Sequence, residues 1–188
     1  MVHARRVGDR DLTFLVSGKL WRNSLIMQDE ETGTLWSHIT GEALDGELAG
    51  ERLAIIPGVQ TTWEAWREVH PDTRLLVKDA EVGSSRYESY FDDPERTGLF
   101  RANWLQERLP GKELVYGIRR GPHAVAVTAG ALTGGDPVTV PLGGESVTVR
   151  LDADGGVRAQ DAAERPLDVL TVFWFAWSSF YPNTGVVD

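Results

Sequence analysis

The chain closes on Val172-Phe173-Trp174-Phe175-Ala176-Trp177-Ser178-Ser179-Phe180-Tyr181-Pro182-Asn183-Thr184, a run in which rings follow one another almost without a break. Each aromatic side chain hides a large area when buried, so a segment this rich in them has to dock into the body of the fold. An earlier stretch, Leu35-Trp36-Ser37-His38-Ile39-Thr40-Gly41-Glu42, rhymes with it. Together they hold three of the seven tryptophans: Trp36, Trp174 and Trp177. The expectation is a tail folded back onto the early tryptophan hairpin, closing the molecule there.

At 188 residues, with 41% hydrophobic and 25% charged side chains, the chain has enough apolar surface to offset the entropy of ordering. Its length suits a single domain over 1–188, with a second β unit over 112–188 as the alternative division. The net charge of −9 argues against a nucleic-acid or anionic-membrane partner, both of which call for a positive footprint. Cysteine is absent, which excludes a disulfide, a thiolate nucleophile and a thiolate metal centre. Met1 to Arg10 has no apolar signal core, and Leu170 to Phe180 is too short to span a bilayer. A soluble, cytoplasmic chain with no membrane partner is the expectation.

Strand patterns dominate. Leu12 to Ser17 is rich in β-branched and aromatic residues and is expected to stop at Ser17-Gly18. Leu25 to Asp29 is a second strand, and the turn from Asp29 to Gly33 leads into Thr34 to Ser37 as a hairpin. Glu42 to Leu48, Arg52 to Ile56 and Arg74 to Val77 read as short strands. One helix stands out near residues 61–70. Thr61 or Thr62 caps it, Glu64 completes a capping box with Thr61, Trp63 and Trp66 share a face, and Pro71 ends it.

Ala80 to Pro110 reads as polar loop pinned by Phe91, Phe100 and Trp104. The last third returns to strands: Leu114 to Ile118, Ala124 to Thr128, Pro137 to Val140, Glu145 to Leu151 and Val157 to Ala159. Val147, Val149 and Leu151 alternate with Ser146, Thr148 and Arg150, so one face of that strand is apolar. Leu170 to Trp174 extends as a strand and the run finishes in a helical turn before Pro182. The fold class is therefore mainly β (β-rich α+β), with short antiparallel strands and one clear helix.

Four stretches resemble, in order and spacing, a bacterial and archaeal family known as domain of unknown function number 3179. They are Phe14 to Leu20 followed by Asn23-Ser24-Leu25; Asp29 to Gly41, similar to the pattern D-x-x-T-x-S-L-W-x-Q-x-x-G-x-A; Thr62 to Trp66 with His70-Pro71; and Trp174 to Trp177 with Phe180 to Thr184. The chain resembles the C-terminal part of that family. The resemblance implies an upstream half, not present here, with a C-P-x-C motif in which selenocysteine can replace cysteine. Val115 to Asp161 is similar in layout to that half, which implies a duplicated β unit of which the second copy remains. His38 stands where the family usually carries Gln.

Several groups are candidates for chemistry. His38 with Glu42 offers an imidazole beside a carboxylate, yet two ligands do not make a metal set, and an outward-facing strand residue explains His38 as well. Ser17 with His38 suggests a nucleophile and its base, but no strained elbow surrounds Ser17. Asp29 to Glu31, Asp92 to Glu95, and Asp152 with Asp154 offer oxygen ligands; Asp152 to Gly156 is better explained as a hairpin turn. His3, His70 and His123 stand alone, His70 serving the carbonyls at a helix end. No metal or cofactor is expected.

Trp36, His38, Trp174, Trp177 and Tyr181 form the candidate ligand-binding set, suited to a planar or sugar-like molecule. Three functional expectations follow. The first is a β-rich domain that binds a small ligand or a protein partner at a Trp-rich surface. The second, implied by the resemblance alone, is a redox or metal-dependent enzyme or accessory whose cysteine-bearing half lies elsewhere. The third is a homodimer, in which a second copy supplies the β unit missing from the first, at the sheet edge that the missing half leaves exposed.

Overall fold

The computed structural model describes residues 2–76, 88–94, 96–98 and 106–188. It divides into two compact units, 1–58 and 59–188. Strands predominate and nearly all ladders are antiparallel, as the alternating patterns predicted. Among the described residues, no helix is long and apolar enough to cross a membrane.

In the first unit, β1 (Val2–His3), β2 (Arg6–Val7) and β3 (Arg10–Asp11) precede a meander of β4 (Phe14–Trp21), β5 (Ser24–Asp29), β6 (Leu35–Ser37) and β7 (Ala43–Asp45); β8 (Ile55–Ile56) returns to pair with β1. The meander's spatial order is its chain order, with β4 and β7 at the edges. Strand β4 does not stop at Ser17-Gly18. Gly18, at φ +75°, sits in a bulge where the β4–β5 register shifts, and the strand runs on to Trp21. The turn itself is Arg22-Asn23, both at positive φ, the two-residue geometry whose twist suits a hairpin.

Trp36, fully buried, packs with Leu12, Ala43 and Leu53, and Phe14 meets it edge-on at 5.9 Å. Its indole N–H has to find an acceptor in this core, and Asp29 supplies one at 2.8 Å. The same buried carboxylate accepts from the Thr32 amide (2.6 Å) and hydroxyl (2.8 Å), closing the tight turn between β5 and β6. Burial by itself would raise the pKa of Asp29; the bonds from Trp36 and Thr32 outweigh it and hold the carboxyl below its ordinary value. The Asp–Thr–Trp spacing of this hairpin thus has a structural origin.

The second unit is built on two four-stranded sheets. One has the order β15 (Val169–Phe173), β9 (Leu114–Arg120), β10 (His123–Thr128), β16 (Gly185–Val187). The other runs β11 (Val138–Leu142), β12 (Glu145–Leu151), β13 (Val157–Asp161), β14 (Pro166–Leu167). Ile118, Val125, Val127, Val140, Leu142, Val147 and Val149 meet in one apolar core. Val147 and Val149 are fully buried as the alternation predicts, while Leu151, on the same face, reaches the rim and stays 46% exposed. β16 pairs parallel to β10, and Gly185-Val186-Val187 is too short a run for the sequence pattern to mark it as a strand.

Helix α1 (Trp63–Val69) begins at Thr62, whose hydroxyl accepts from the Ala65 amide. Thr61 does not cap; its hydroxyl donates to the Asp154 carbonyl instead. The facing turn carries Gly155 at φ +72°, and any Cβ there would lie 2.6 Å from Thr61 Oγ1. A short helix α2 (Glu88–Asp92) interrupts the expected loop, and α3 (Trp174–Phe180) extends the expected closing turn to seven residues. Arg74 to Leu76 is not a strand and pairs with none among the described residues; Val77, Phe100 and Trp104 lie outside the described residues.

Replacing Asp29 by Ala strands the Trp36 indole and the Thr32 amide. Urea unfolding followed by tryptophan fluorescence is expected to show a loss of about 3 kcal/mol. In the wild-type chain the stabilisation from Asp29 is present at neutral pH and is lost as the pH falls below about 4, through the folded-state pKa. Asp29→Ala should flatten that acid limb.

Candidate functional site

The closing aromatic run is locked by hydrogen bonds as much as by apolar contact. Helix α3 has no polar cap, because Phe173 occupies the capping position. Its first amides are taken by the chain before β9: Trp174 N–H donates to the Glu113 carbonyl at 2.8 Å and Phe175 N–H to that of Gly111 at 2.9 Å. Trp174 is fully buried and its indole donates to the Gln106 carbonyl at 2.7 Å, with the Arg108 guanidinium 5.3 Å from the ring centre.

Trp177, 2% exposed, donates to the Thr184 hydroxyl at 3.0 Å, and that hydroxyl donates onward to the Gly185 carbonyl. The ring packs on β9 where Gly117 presents no side chain; a Cβ there would stand 2.2 Å from Trp177 Cζ3. Tyr181 follows at the end of α3, half-buried, its ring 4.3 Å from that of Trp177.

This clamp forms one wall of a cleft of about 340 Å³. Tyr181 to Gly185 crosses from α3 to β16 along one side. Pro122 and His123, at the β9–β10 tip, and Pro141 to Gly143, at the β11–β12 tip, close the others. Gly143 takes φ +63° in that tip, and its missing side chain leaves room for the His123 ring, which a Cβ would approach to 3.0 Å. Among the described residues the lining carries imidazole, phenol and amide groups but no carboxylate, ammonium or guanidinium.

Of the five residues expected to bind a ligand, Tyr181 alone lines this cleft. Trp177 stands behind it through Tyr181 and Thr184, and Trp174 points into the body of its unit. His123, set aside as isolated in the sequence, joins the lining.

Trp36 and His38 belong to the first unit. Trp36 is committed to Asp29 and the core. His38 is half-buried; its carbonyl is 2.9 Å from His3 Nε2, and its own Nδ1 is 3.5 Å from Ser24 Oγ. Burial, with His3 nearby, holds the His38 pKa below its ordinary value. Ser17 donates to the Ile26 carbonyl at 2.6 Å, which leaves it no part in a Ser–His pair with His38. Glu42 faces Arg52 at 3.4 Å rather than His38.

Asp152, Asp154 and His70 are engaged structurally, and Glu95, of the Asp92 to Glu95 group, lies outside the described residues. Both carboxylate oxygens of Asp154 are taken by Arg158, at 2.9 and 2.6 Å, and one also caps the Gly156 amide at 3.0 Å. Arg158 and the Gly156 amide hold the Asp154 carboxyl well below its usual range. Asp152 bridges Arg150 and Arg158, both at 2.7 Å. His70 packs against Trp66, with ring centres 3.9 Å apart and planes tilted by 35°. Among the described residues no three His, Cys, Asp or Glu side chains converge as a metal set would require.

A family model, described as a protein of unknown function, DUF3179, matches residues 1–166. The chain belongs to DUF3179. No curated protein and no solved structure matches it. Three of the four stretches that carry the resemblance fall within the DUF3179 match; the fourth, Trp174 to Thr184, lies beyond it. The cleft therefore combines tips inside the matched region with a wall from the segment that follows.

Two outcomes are expected. Gly117→Ala drives a methyl into Trp177, and chemical denaturation should show the chain destabilised by about 2 kcal/mol or more, with a shift in tryptophan emission. His38 resists protonation in the folded state, so the unfolded state binds more protons below about pH 6.5 and stability falls with pH there. His38→Gln should flatten the stability profile between about pH 7 and pH 5, read by urea midpoints.

Proposed function

We propose that the second unit is a binding module for a small, uncharged ligand with a planar or sugar-like face, seated in the cleft between His123 and Tyr181. The cleft carries the reading. Its volume of about 340 Å³ lies within the range of small-molecule sites. Its lining offers hydrogen-bonding groups and an aromatic side chain, without a fixed charge to neutralise an ammonium or a phosphate. Three prolines line it, and Trp177, wedged on Gly117, supports the wall from behind; a site built on stiff elements loses little entropy on binding. The tryptophans act in this reading as scaffold and reporter, and Tyr181 as the contact.

The test is a titration of the isotopically labelled chain with a fixed panel of monosaccharides, adenosine and nicotinamide. Backbone amide shifts are expected to concentrate at His123, Gly143, Asn183 and Gly185, with a change in tryptophan emission. Tyr181→Ala should weaken binding by about tenfold or more, the loss of one well-placed aromatic contact. If no panel member moves these amides, or if Tyr181→Ala leaves the affinity unchanged, the reading is wrong.

A further inference from the structure

The first unit carries a different feature: an apolar strand at the edge of its sheet. β4 is an edge of its sheet. Which of its backbone groups face outward follows from the ladder. The Glu30 amide donates to the Thr13 carbonyl, and the Asp29 amide donates away from β4, to the Thr34 carbonyl. Phe14 stands opposite Asp29, Leu15 opposite Gln28 and Val16 opposite Met27. In an antiparallel ladder the hydrogen-bonded positions alternate. Leu15 therefore turns its amide and carbonyl toward β5, and Phe14 and Val16 turn theirs outward.

The side chains along this edge are apolar and open. Val16 is 74% exposed, Leu15 51% and Leu20 45%. Edge strands are ordinarily guarded by proline, charge or brevity. β4 is eight residues long, has no proline and carries one charge, Lys19. Its ends are also opposite in sign. Asp11 precedes it, and the Glu31 carboxylate sits on the Thr13 amide at 2.8 Å. Lys19 and Arg22 lie toward the other end.

We propose that β4 pairs with β4 of a second copy of this chain, antiparallel, about a two-fold axis at Leu15. Phe14 of each copy then faces Val16 of the other, and their outward amides and carbonyls form four hydrogen bonds. Leu15 meets Leu15, and the two four-stranded meanders join into one continuous sheet. The same axis turns the end of β4 next to Asp11 and Glu31 toward the end of its counterpart that carries Lys19. A parallel pairing would oppose like charges. The bulge at Gly18 limits the ladder to the segment before it. A two-fold contact must be self-complementary, and this strand meets that condition in hydrogen bonding, apolar surface and charge.

Sedimentation of the full chain over a concentration series tests this. A species of twice 20.8 kDa is expected, dissociating on dilution and more readily at high salt. Val16→Lys should give a folded monomer. Asp11→Lys and Lys19→Asp should each raise the dissociation constant by about fivefold, the effect of two exposed ion pairs, and the double swap should restore it. Should Val16→Lys fail to fold, hydrogen exchange of the wild-type Phe14 and Val16 amides decides, since the pairing requires protection that grows with concentration. A wild-type chain that stays monomeric at about 1 mM, the affinity limit of a weak contact, overturns the proposal. So do a dimer untouched by Val16→Lys and Phe14 and Val16 amides whose exchange ignores concentration.

Discussion

A buried tryptophan brings one N–H donor into the core with it, and leaving that donor unpaired costs more than a typical hydrogen bond returns. Among the described residues that condition is met at three buried tryptophans, and much of the architecture follows from it. Trp36 donates to a carboxylate, Trp174 to a backbone carbonyl and Trp177 to a hydroxyl. Each acceptor belongs to a turn or crossing segment rather than to a strand interior, where carbonyls already serve the ladder. Burying the indole thus fixes a loop. Asp29 sets the β5–β6 turn, Gln106 ties the chain before β9 to α3, and Thr184 holds the crossing from α3 to β16.

Complementary absences matter as much. Trp177 lies against β9 because residue 117 is glycine, and His123 faces the cleft because residue 143 is glycine. Glycine inside a strand normally weakens it, through entropy and lost packing. At position 117 the loss is offset by a large ring resting on the bare backbone. One wall of the cleft is therefore layered: β9 backbone, Trp177, then Tyr181 tilted against it. The ring that faces the cleft is supported by one whose own polar atom is already engaged, a division of labour that keeps the contact surface stiff.

What was legible in the sequence was local. The alternation of Val147 and Val149 and the Asp29–Gly33 turn each reside within a few residues and appear as read, while of the two caps offered, Thr61 and Thr62, the structure takes Thr62 and forms no capping box on Thr61. Ser17-Gly18 misled because a glycine at positive φ marks a bulge as readily as a turn; the pairing of Trp21 with Ser24 decides which, and no propensity of the two residues alone records it. The density of rings at 172–184 correctly marked a buried element, but not which ring would remain at the surface. Helical geometry and the position of Gly117 turn Trp174 and Trp177 inward and leave Tyr181 at the rim.

His123 shows where sequence reading stops. Nothing adjacent to it suggests a site, since its neighbours are a turn proline and a small strand residue. It acquires one because β16 pairs parallel to β10, which carries Tyr181 to Gly185 past the β9–β10 tip, and because the β11–β12 tip arrives from the other sheet. Both are long-range events decided by how two sheets share the valine core. Parallel pairing of a three-residue strand gains little by itself. Here it is held by the Trp177–Thr184 bond before it and by the Thr128 hydroxyl on the Asp188 carboxylate after it, at 2.8 Å. The cleft is thus a consequence of the tryptophan constraint: the acceptor that satisfies Trp177 is the residue that leads the chain into β16, and only a chain so led passes His123.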